Sequence, residues 1–485
     1  MKPVVIRAYN THIEVRPYSK GDCFAIEKKY SKWDNVTHQY IRIGYFIDDD
    51  TLYLPRGTSF NILSNYFHTI PEIINRSDPS VKIDHIDLKY DPRDRIQDES
   101  VDFLTSKGRF KEGIKRTQYG LNLDTGDGKT FCMIDGISKL RQRTIIITHK
   151  TRIKDQWIKE FLDKTYIDED RIVGLKGSTD MEKVISGDLE ADIYVCTHQT
   201  IASFARLYGW SKVREFFKKG KIGIKVFDEA HKFFENILMI DFFSNTKRTY
   251  YLTATFTRND PKEVVMFKQA FSSLYRFGEE TLNYDEKRKH INLIEVMYRS
   301  NPPTYAVDKI MGSKYGFNSY RYIDYALKID EYKTMEKVIK KIIRDTKNLE
   351  GKTLITSPKI ESVELIADIV RKVTDKPVGV VHSRQSKAVN DEVVKSCDII
   401  SSTIKGIGEG DDIKGLRVLI NTEPIASKGL VDQLRGRLRE YSPTDDTYLF
   451  YLIDVGVPYT YTMYNRIKSV FSKKCKKIYK MRIEV

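Results

Sequence analysis

The chain has 485 residues, 40% hydrophobic, 31% charged and 12% aromatic, with 14 prolines and 27 glycines; this is a folded multi-domain protein, and a single small module, collagen and low-complexity disorder are excluded. Lys and Arg number 82 against 67 Asp and Glu, and the formal charge of +15 points to a polyanionic partner such as nucleic acid. Cys23, Cys132, Cys196, Cys397 and Cys475 form no C-x-x-C pair and have no histidine at ligand spacing, and no run approaches the roughly 20 apolar residues of a membrane span, so neither zinc, a disulfide framework nor a membrane segment is expected and the setting reads as reducing and cytoplasmic.

Residues 1–88 are predicted to form a small sheet-rich (α+β) accessory domain, a candidate DNA-binding module. Its strands are VVIRAY, HIEVRPY and the pair YIRIGYFI and TLYLP joined through Asp48-Asp49-Asp50. Over 89–282 apolar strands alternate with amphipathic helices: YGLNL, TIIITH (144–149), DIYVCT (192–197), IGIKVF (222–227) and TYYLTA (249–254). The pattern resumes over 283–460 with INLIEVM (291–297), TLITS (353–357), VGVVH (378–382), CDIIS (397–401), LRVLIN (416–421) and TYLFYLID (447–454). Apolar runs without polar alternation belong to strands covered on both faces, so two α/β domains with parallel sheets are expected in tandem. Residues 461–485 read as a basic helix, with Arg466, Lys468, Lys473, Lys474, Lys476, Lys477, Lys480 and Arg482 against Glu484 alone.

Between YGLNL and the apolar helix FCMIDGISKL lies Leu123-Asp124-Thr125-Gly126-Asp127-Gly128-Lys129-Thr130. Glycines let successive N–H groups point at phosphate oxygens, Lys129 can reach the β and γ phosphates, and Thr130 can offer a hydroxyl to Mg²⁺. The strict phosphate-loop pattern has glycine where this chain has Leu123. A hundred residues on, IGIKVF ends in Asp228-Glu229-Ala230-His231, a carboxylate pair at the strand edge where open parallel sheets carry out ligand chemistry. There Asp228 would hold Mg²⁺ through water and Glu229 would orient and deprotonate an attacking water.

With these two segments the chain resembles the superfamily 2 helicases and translocases, which implies two tandem RecA-like domains with ATP and Mg²⁺ in the cleft and a nucleic-acid strand across both. The resemblance implies that Gln97 reads the adenine and that Thr125, Gly126, Asp127 and Gly128 cradle phosphates. His149 and Lys150, Thr197, Gln199 and Thr200, and Ser357 with Pro358 correspond to nucleic-acid contacts. His231, Thr253, Thr255 and Gln433 correspond to coupling positions, and Glu409-Gly410-Asp411-Asp412-Ile413 to the loop that meets both ATP and the strand. Gln433 to Arg439 resembles the arginine-finger helix, with Arg437 as the finger and Arg439 beside it; Glu440 stands where the family commonly has a second arginine. Tyr30, Trp33-Asp34 and Leu54-Pro55-Arg56-Gly57 are similar to bacteriophage helicases of the UvsW type, which act on branched DNA, and a host-cell cytoplasm follows from that likeness. Lys473, Lys474, Lys476 and Lys477 would hold DNA phosphates. The expected partner is forked or branched DNA without sequence preference; an RNA helicase, a double-strand translocase and a non-enzymatic branched-DNA scaffold are the alternatives.

Overall fold

Runs such as Ile145-Ile146-Ile147 and Leu419-Ile420 have no polar face to offer water, and both become inner strands of parallel sheets, fully buried. The computed structural model describes residues 3–34, 37–106, 117–123, 126–253, 261–272, 274–278, 289–312, 316–404, 406, 413–439, 441–442 and 444–484, with the backbone alone at 261–262, 428–429, 432–433 and 472–474. Two compact units are formed, Met1–Asn283 and Tyr284–Val485. Among the described residues no helix is long and apolar enough to cross a membrane, and no cluster of His, Cys, Asp and Glu is placed to hold a metal.

The first unit contains a seven-stranded parallel sheet. Its order is Ile172–Gly174, Ile193–Thr197, Thr144–Thr148, Ile224–Asp228, Arg248–Thr253, Gln118–Asn122, Tyr275–Gly278. In the second unit the order is Val378–Val381, Ile399–Thr403, Lys352–Ser357, Leu416–Asn421, Thr447–Asp454, Ile291–Tyr298, Lys477–Arg482, again all parallel. Numbered one to seven along the chain, the strands of both sheets run 3-4-2-5-6-1-7. Because all the strands are parallel, each sheet gathers its strand C-termini on one edge.

The first 88 residues build a five-stranded mixed sheet of Phe46–Asp48, Thr51–Pro55, His12–Arg16, Val5–Ala8 and Glu72–Ile73, plus a separate hairpin of Ser31–Asp34 and Gln39–Arg42. They dock on the parallel sheet of the same unit. The Asn10 side chain donates to the Thr246 carbonyl at 3.1 Å, and Thr117 donates to the Asn10 carbonyl at 2.8 Å. Arg214 donates to Glu14 at 3.0 Å and to the Tyr53 hydroxyl at 3.1 Å. With His12 buried and its imidazole pushed down by that burial, Arg214 is the permanent cation beside Glu14; burial alone would raise the Glu14 carboxyl, but the His12 and Arg214 interactions lower it to about 2. At the turn Leu54-Pro55-Arg56-Gly57, the Gly57 N–H donates to the Ala270 carbonyl at 3.1 Å, and a Cβ at Gly57 would lie 2.3 Å from that oxygen.

Three expectations are corrected here. YIRIGYFI is not one strand: the N–H groups of Ile43 and Gly44 both turn onto the Tyr30 carbonyl, so the run divides between the hairpin and the five-stranded sheet. The basic segment 461–485 is not one helix. The helix Thr460–Lys474 buries Tyr464, Ile467 and Phe471, and Lys477–Arg482 then joins the sheet beside Ile291–Tyr298. The arginine-bearing helix is Lys428–Arg435 and stops before Gly436, so Arg437 and Arg439 lie past its end, where the Arg437 N–H donates to the Leu434 carbonyl at 3.2 Å.

Candidate active site

On the first unit's C-terminal edge the registers Asn122 to Thr253, Leu252 to Asp228, Phe227 to Ile147 and Thr148 to Thr197 align the ends of five strands. The glycine loop, the Asp228-Glu229 pair, Thr253, His149 and Thr197 therefore share one edge. Gly126 and Gly128 adopt φ of 103° and 87°, backbone that glycine takes without a Cβ penalty, and the helix Lys129–Leu140 starts directly after them. The Lys129 ammonium donates to the Leu123 carbonyl at 2.7 Å, which keeps the cation at its own loop.

Gln97 lies on the helix Arg95–Thr105, capped by Asp94, which accepts from the N–H groups of Ile96 and Gln97. The Gln97 amide is buried; it accepts from the Arg93 N–H at 2.8 Å and donates to the Asp127 carbonyl at 3.3 Å. A Cβ at Gly128 would lie 2.2 Å from Gln97 Nε2, so only glycine lets the loop close over this side chain. Gln97 thus braces the loop directly.

Asp228 has its two oxygens held differently. Oδ2 accepts from the Trp157 indole N–H at 2.9 Å, and Oδ1 accepts from the Glu229 N–H at 3.0 Å. Burial pushes this carboxyl up, the Glu229 charge pushes it further, and Trp157, Lys129 and His149 pull it down; the net direction is upward. Glu229 has a left-handed backbone, φ 53°, and its carboxylate lies 3.1 Å from His231 Nδ1, which is also 2.9 Å from the Thr253 hydroxyl. Glu229, His231 and the fully buried Thr253 form one polar chain between adjacent strand ends.

The remaining positions divide by exposure. Lys150 is exposed and stands at the N-cap of the helix Thr151–Lys164, while Lys232 Nζ lies 3.4 Å from His149 Nε2. Thr197 caps the helix His198–Tyr208 by accepting from the Thr200 N–H at 3.2 Å, and exposed Gln199 donates to Ser203 at 3.0 Å. His198, between them, is buried against Phe227 with ring centroids 5.7 Å apart, and burial pushes its imidazole down to about 3, so it is neutral. In the second unit Ser357 is fully buried with its hydroxyl 2.7 Å from that of Ser362, so its side chain faces the interior, and Pro358 follows at half-buried depth. Lys476 pairs with Asp446 at 2.6 Å, and Lys477 opens the last strand. Thr125, Thr255, Gly410 and Asp412 lie outside the described residues, as do the side chains of Gln433, Lys473 and Lys474.

A phosphate chain and a divalent cation fit this edge. The loop admits no Cβ at Gly128, Lys129 and the half-buried Thr130 open the helix behind it, and Asp228 keeps a carboxylate at the end of the strand two places along the sheet. Trp157 is a residue that sequence reasoning misses: an apolar-looking tryptophan at helical spacing carries no signal that its N–H will reach the Asp228 carboxylate on another strand.

Residues 93–258 match the family model described as "Type III restriction enzyme, res subunit". "Putative helicase 161L" of Invertebrate iridescent virus 6 is 22% identical over 394 residues, 77% of each protein. Among solved structures, the Pyrococcus furiosus Hef helicase domain aligns at a TM-score of 0.50 with 14% identity, over 77% of this chain and 97% of that one. Dbp5 of S. cerevisiae, crystallised with Gle1 and IP6, aligns at 0.51 with 13% identity, over 81% and 88%. T4 UvsW aligns over 99% of both chains with 16% identity and a TM-score of 0.35. The two parallel sheets are thereby tandem RecA-like domains, accompanied by a small mixed sheet at the N-terminus.

Proposed function

We propose that the chain carries the motor of superfamily 2 helicases and translocases and is an ATP-dependent DNA helicase or translocase acting on forked or branched DNA without reading its sequence. What supports this reading is the meeting of the glycine loop, Asp228-Glu229 and Thr253 with His149 and Thr197 on one edge of a single sheet. Bound ATP·Mg²⁺ supplies the phosphoanhydride whose cleavage drives such a motor. Lys129 and the loop N–H groups neutralise phosphate charge, Thr130 and Asp228 hold the cation, and Glu229 takes a proton from the attacking water. By the resemblance, Arg437 would be the residue to supply a guanidinium to the transferring phosphoryl group. His231 and Thr253 join Glu229 in one polar chain, so a change at the carboxylate is felt at the end of the neighbouring strand.

On the nucleic-acid side, exposed Lys150 and Gln199 suit phosphate contacts, which are indifferent to base sequence and weaken with salt. The likeness of the N-terminal residues to phage helicases makes branch migration, in recombination or replication restart, the activity to test. ATPase and strand separation measured on single-stranded, forked and Holliday-type DNA and on RNA decide it, with Glu229→Gln as the inactive control. Forked or Holliday-type DNA is expected to stimulate most. Stronger stimulation by RNA would replace the proposal with an RNA helicase, and stimulation without strand separation would replace it with a translocase.

A further inference from the structure

Most aromatic rings of the first unit are inside it, but Trp33 and Tyr40 are each 45% exposed. They face each other across the hairpin Ser31–Asp34/Gln39–Arg42, with centroids 5.1 Å apart in an edge-to-face arrangement. A tryptophan on a short strand is more often a core residue, yet here the strand Gln39–Arg42 is exposed at every position and the hairpin is hydrogen-bonded to no other sheet. The hairpin is nevertheless fixed at its base. The Tyr30 hydroxyl lies 2.6 Å from that of Thr58, Ser31 donates to the Glu27 carbonyl at 2.7 Å, and Lys32 pairs with Glu263 at 3.8 Å.

Its charge is one-sided. Lys28 has its ammonium 5.6 Å from the Tyr40 centroid, Lys29 is its neighbour in the chain, and exposed Arg42 follows Tyr40 on the same strand with its guanidinium 4.6 Å from the Phe46 centroid. Of the nearby carboxylates, Glu27 is buried under the Tyr18 hydroxyl at 2.6 Å, Asp34 turns into its own loop to accept from Thr37, Glu263 is taken up by Lys32, and Glu235 feels Arg42. An unpaired nucleic-acid strand offers both things this face can bind, stackable base faces and a phosphate beside each of them.

We propose that the Trp33–Tyr40 hairpin is a stacking platform for one or two unpaired bases of a nucleic-acid strand, with Lys28, Lys29 and Arg42 on the flanking phosphates. The platform rests on the nucleic-acid reading of the motor but is separate from the ATP edge.

The test is titration of the intact protein with a thymidine oligonucleotide, following tryptophan emission and, in parallel, the anisotropy of labelled oligonucleotide. Trp157 is buried and Trp210 is packed on Phe243, so a quench that disappears in Trp33→Phe belongs to the hairpin. Trp33→Ala/Tyr40→Ala is expected to weaken single-strand binding by about tenfold or more while changing blunt duplex binding far less. Unchanged emission at saturating oligonucleotide, unchanged single-strand affinity in the double variant, or no oligonucleotide binding at all would overturn the proposal. A concentration-dependent dimer lost in the same variant, with oligonucleotide affinity intact, would assign the face to a second copy of the chain. Absence of any nucleic-acid-stimulated ATPase would sink the motor reading while the quench still decided the hairpin; stimulated ATPase without a quench would sink the hairpin alone.

Discussion

After the first strand of its parallel sheet the first unit turns through Gly126 and Gly128 into the helix Lys129–Leu140, whereas at the same topological place the second unit runs through Arg299-Ser300-Asn301-Pro302-Pro303 into the helix Thr304–Met311. The two prolines there have no N–H to give. Ser300 gives its N–H and its hydroxyl to the buried Asp454 carboxylate at 2.9 and 2.5 Å, and Gly456 gives its N–H to the same group at 3.0 Å. A Cβ at Gly456 would lie 1.8 Å from the Ser300 carbonyl oxygen, so this edge is closed as tightly as packing allows. The two sheets are wound alike, and what separates them is the segment after strand one: Gly126 and Gly128 at φ of 103° and 87° in one, a serine bonded to the protein's own buried carboxylate in the other. A shared frame does not make a nucleotide site; the glycine backbone and the lysine that opens the following helix are what the first unit adds to it.

Substitutions at matched positions of the two units test this difference. Lys129→Ala is expected to lower ATP turnover by at least about 100-fold, while Thr304→Ala, the first helical residue at the matching place, leaves it unchanged in the same assay; a matching loss in Thr304→Ala would end the asymmetry. Asp454→Ala strands three donors in the second unit and is expected to cost about 3 kcal/mol in chemical denaturation, with labelled-nucleotide binding retained. A cost near zero would mean that the closed edge contributes nothing to stability. Trp157→Phe removes one donor from Asp228 and should raise the Mg²⁺ concentration for half-maximal ATPase about tenfold with the fold unchanged by circular dichroism. An unaltered Mg²⁺ requirement would show that the indole merely packs.

The smallest of these effects concerns the docked N-terminal sheet, which has no counterpart in the second unit. Glu14 is held at about 2 against an ordinary 4.5, so its stabilising contribution is complete above pH 4.5 and is lost as pH falls towards 2. Glu14→Gln should flatten that acid limb in denaturation experiments and cost about 1 kcal/mol at neutral pH, because Arg214 is partly exposed. A limb as steep as that of the parent would place the acid sensitivity elsewhere.

Inner strands were legible in the sequence because burial on both faces leaves an unbroken apolar run, as in TIIIT and LRVLIN. Edge strands were not. Ile172–Gly174 is three residues long, and Lys477–Arg482 keeps only Ile478 and Met481 partly covered among exposed neighbours, a spacing that also satisfies one face of a helix. The candidate site was legible wherever chemistry dictates residue type, at Gly126, Gly128, Lys129, Asp228 and Glu229. It was illegible where one side chain acts on another: Gln97 bracing the loop, Trp157 on Asp228, and Asp454 closing the second edge are contacts between segments that no spacing records.

Glu229 itself sits where L-residues with long side chains rarely settle, at φ 53°. Asparagine and glycine tolerate that backbone more readily than glutamate does, by up to about 1 kcal/mol. At this one residue thermal endurance and turnover therefore pull in opposite directions: a Glu229→Asn protein should melt later than its parent while hydrolysing nothing. The glutamate is the less comfortable occupant of its own turn, a cost that the role proposed for it at the attacking water would account for.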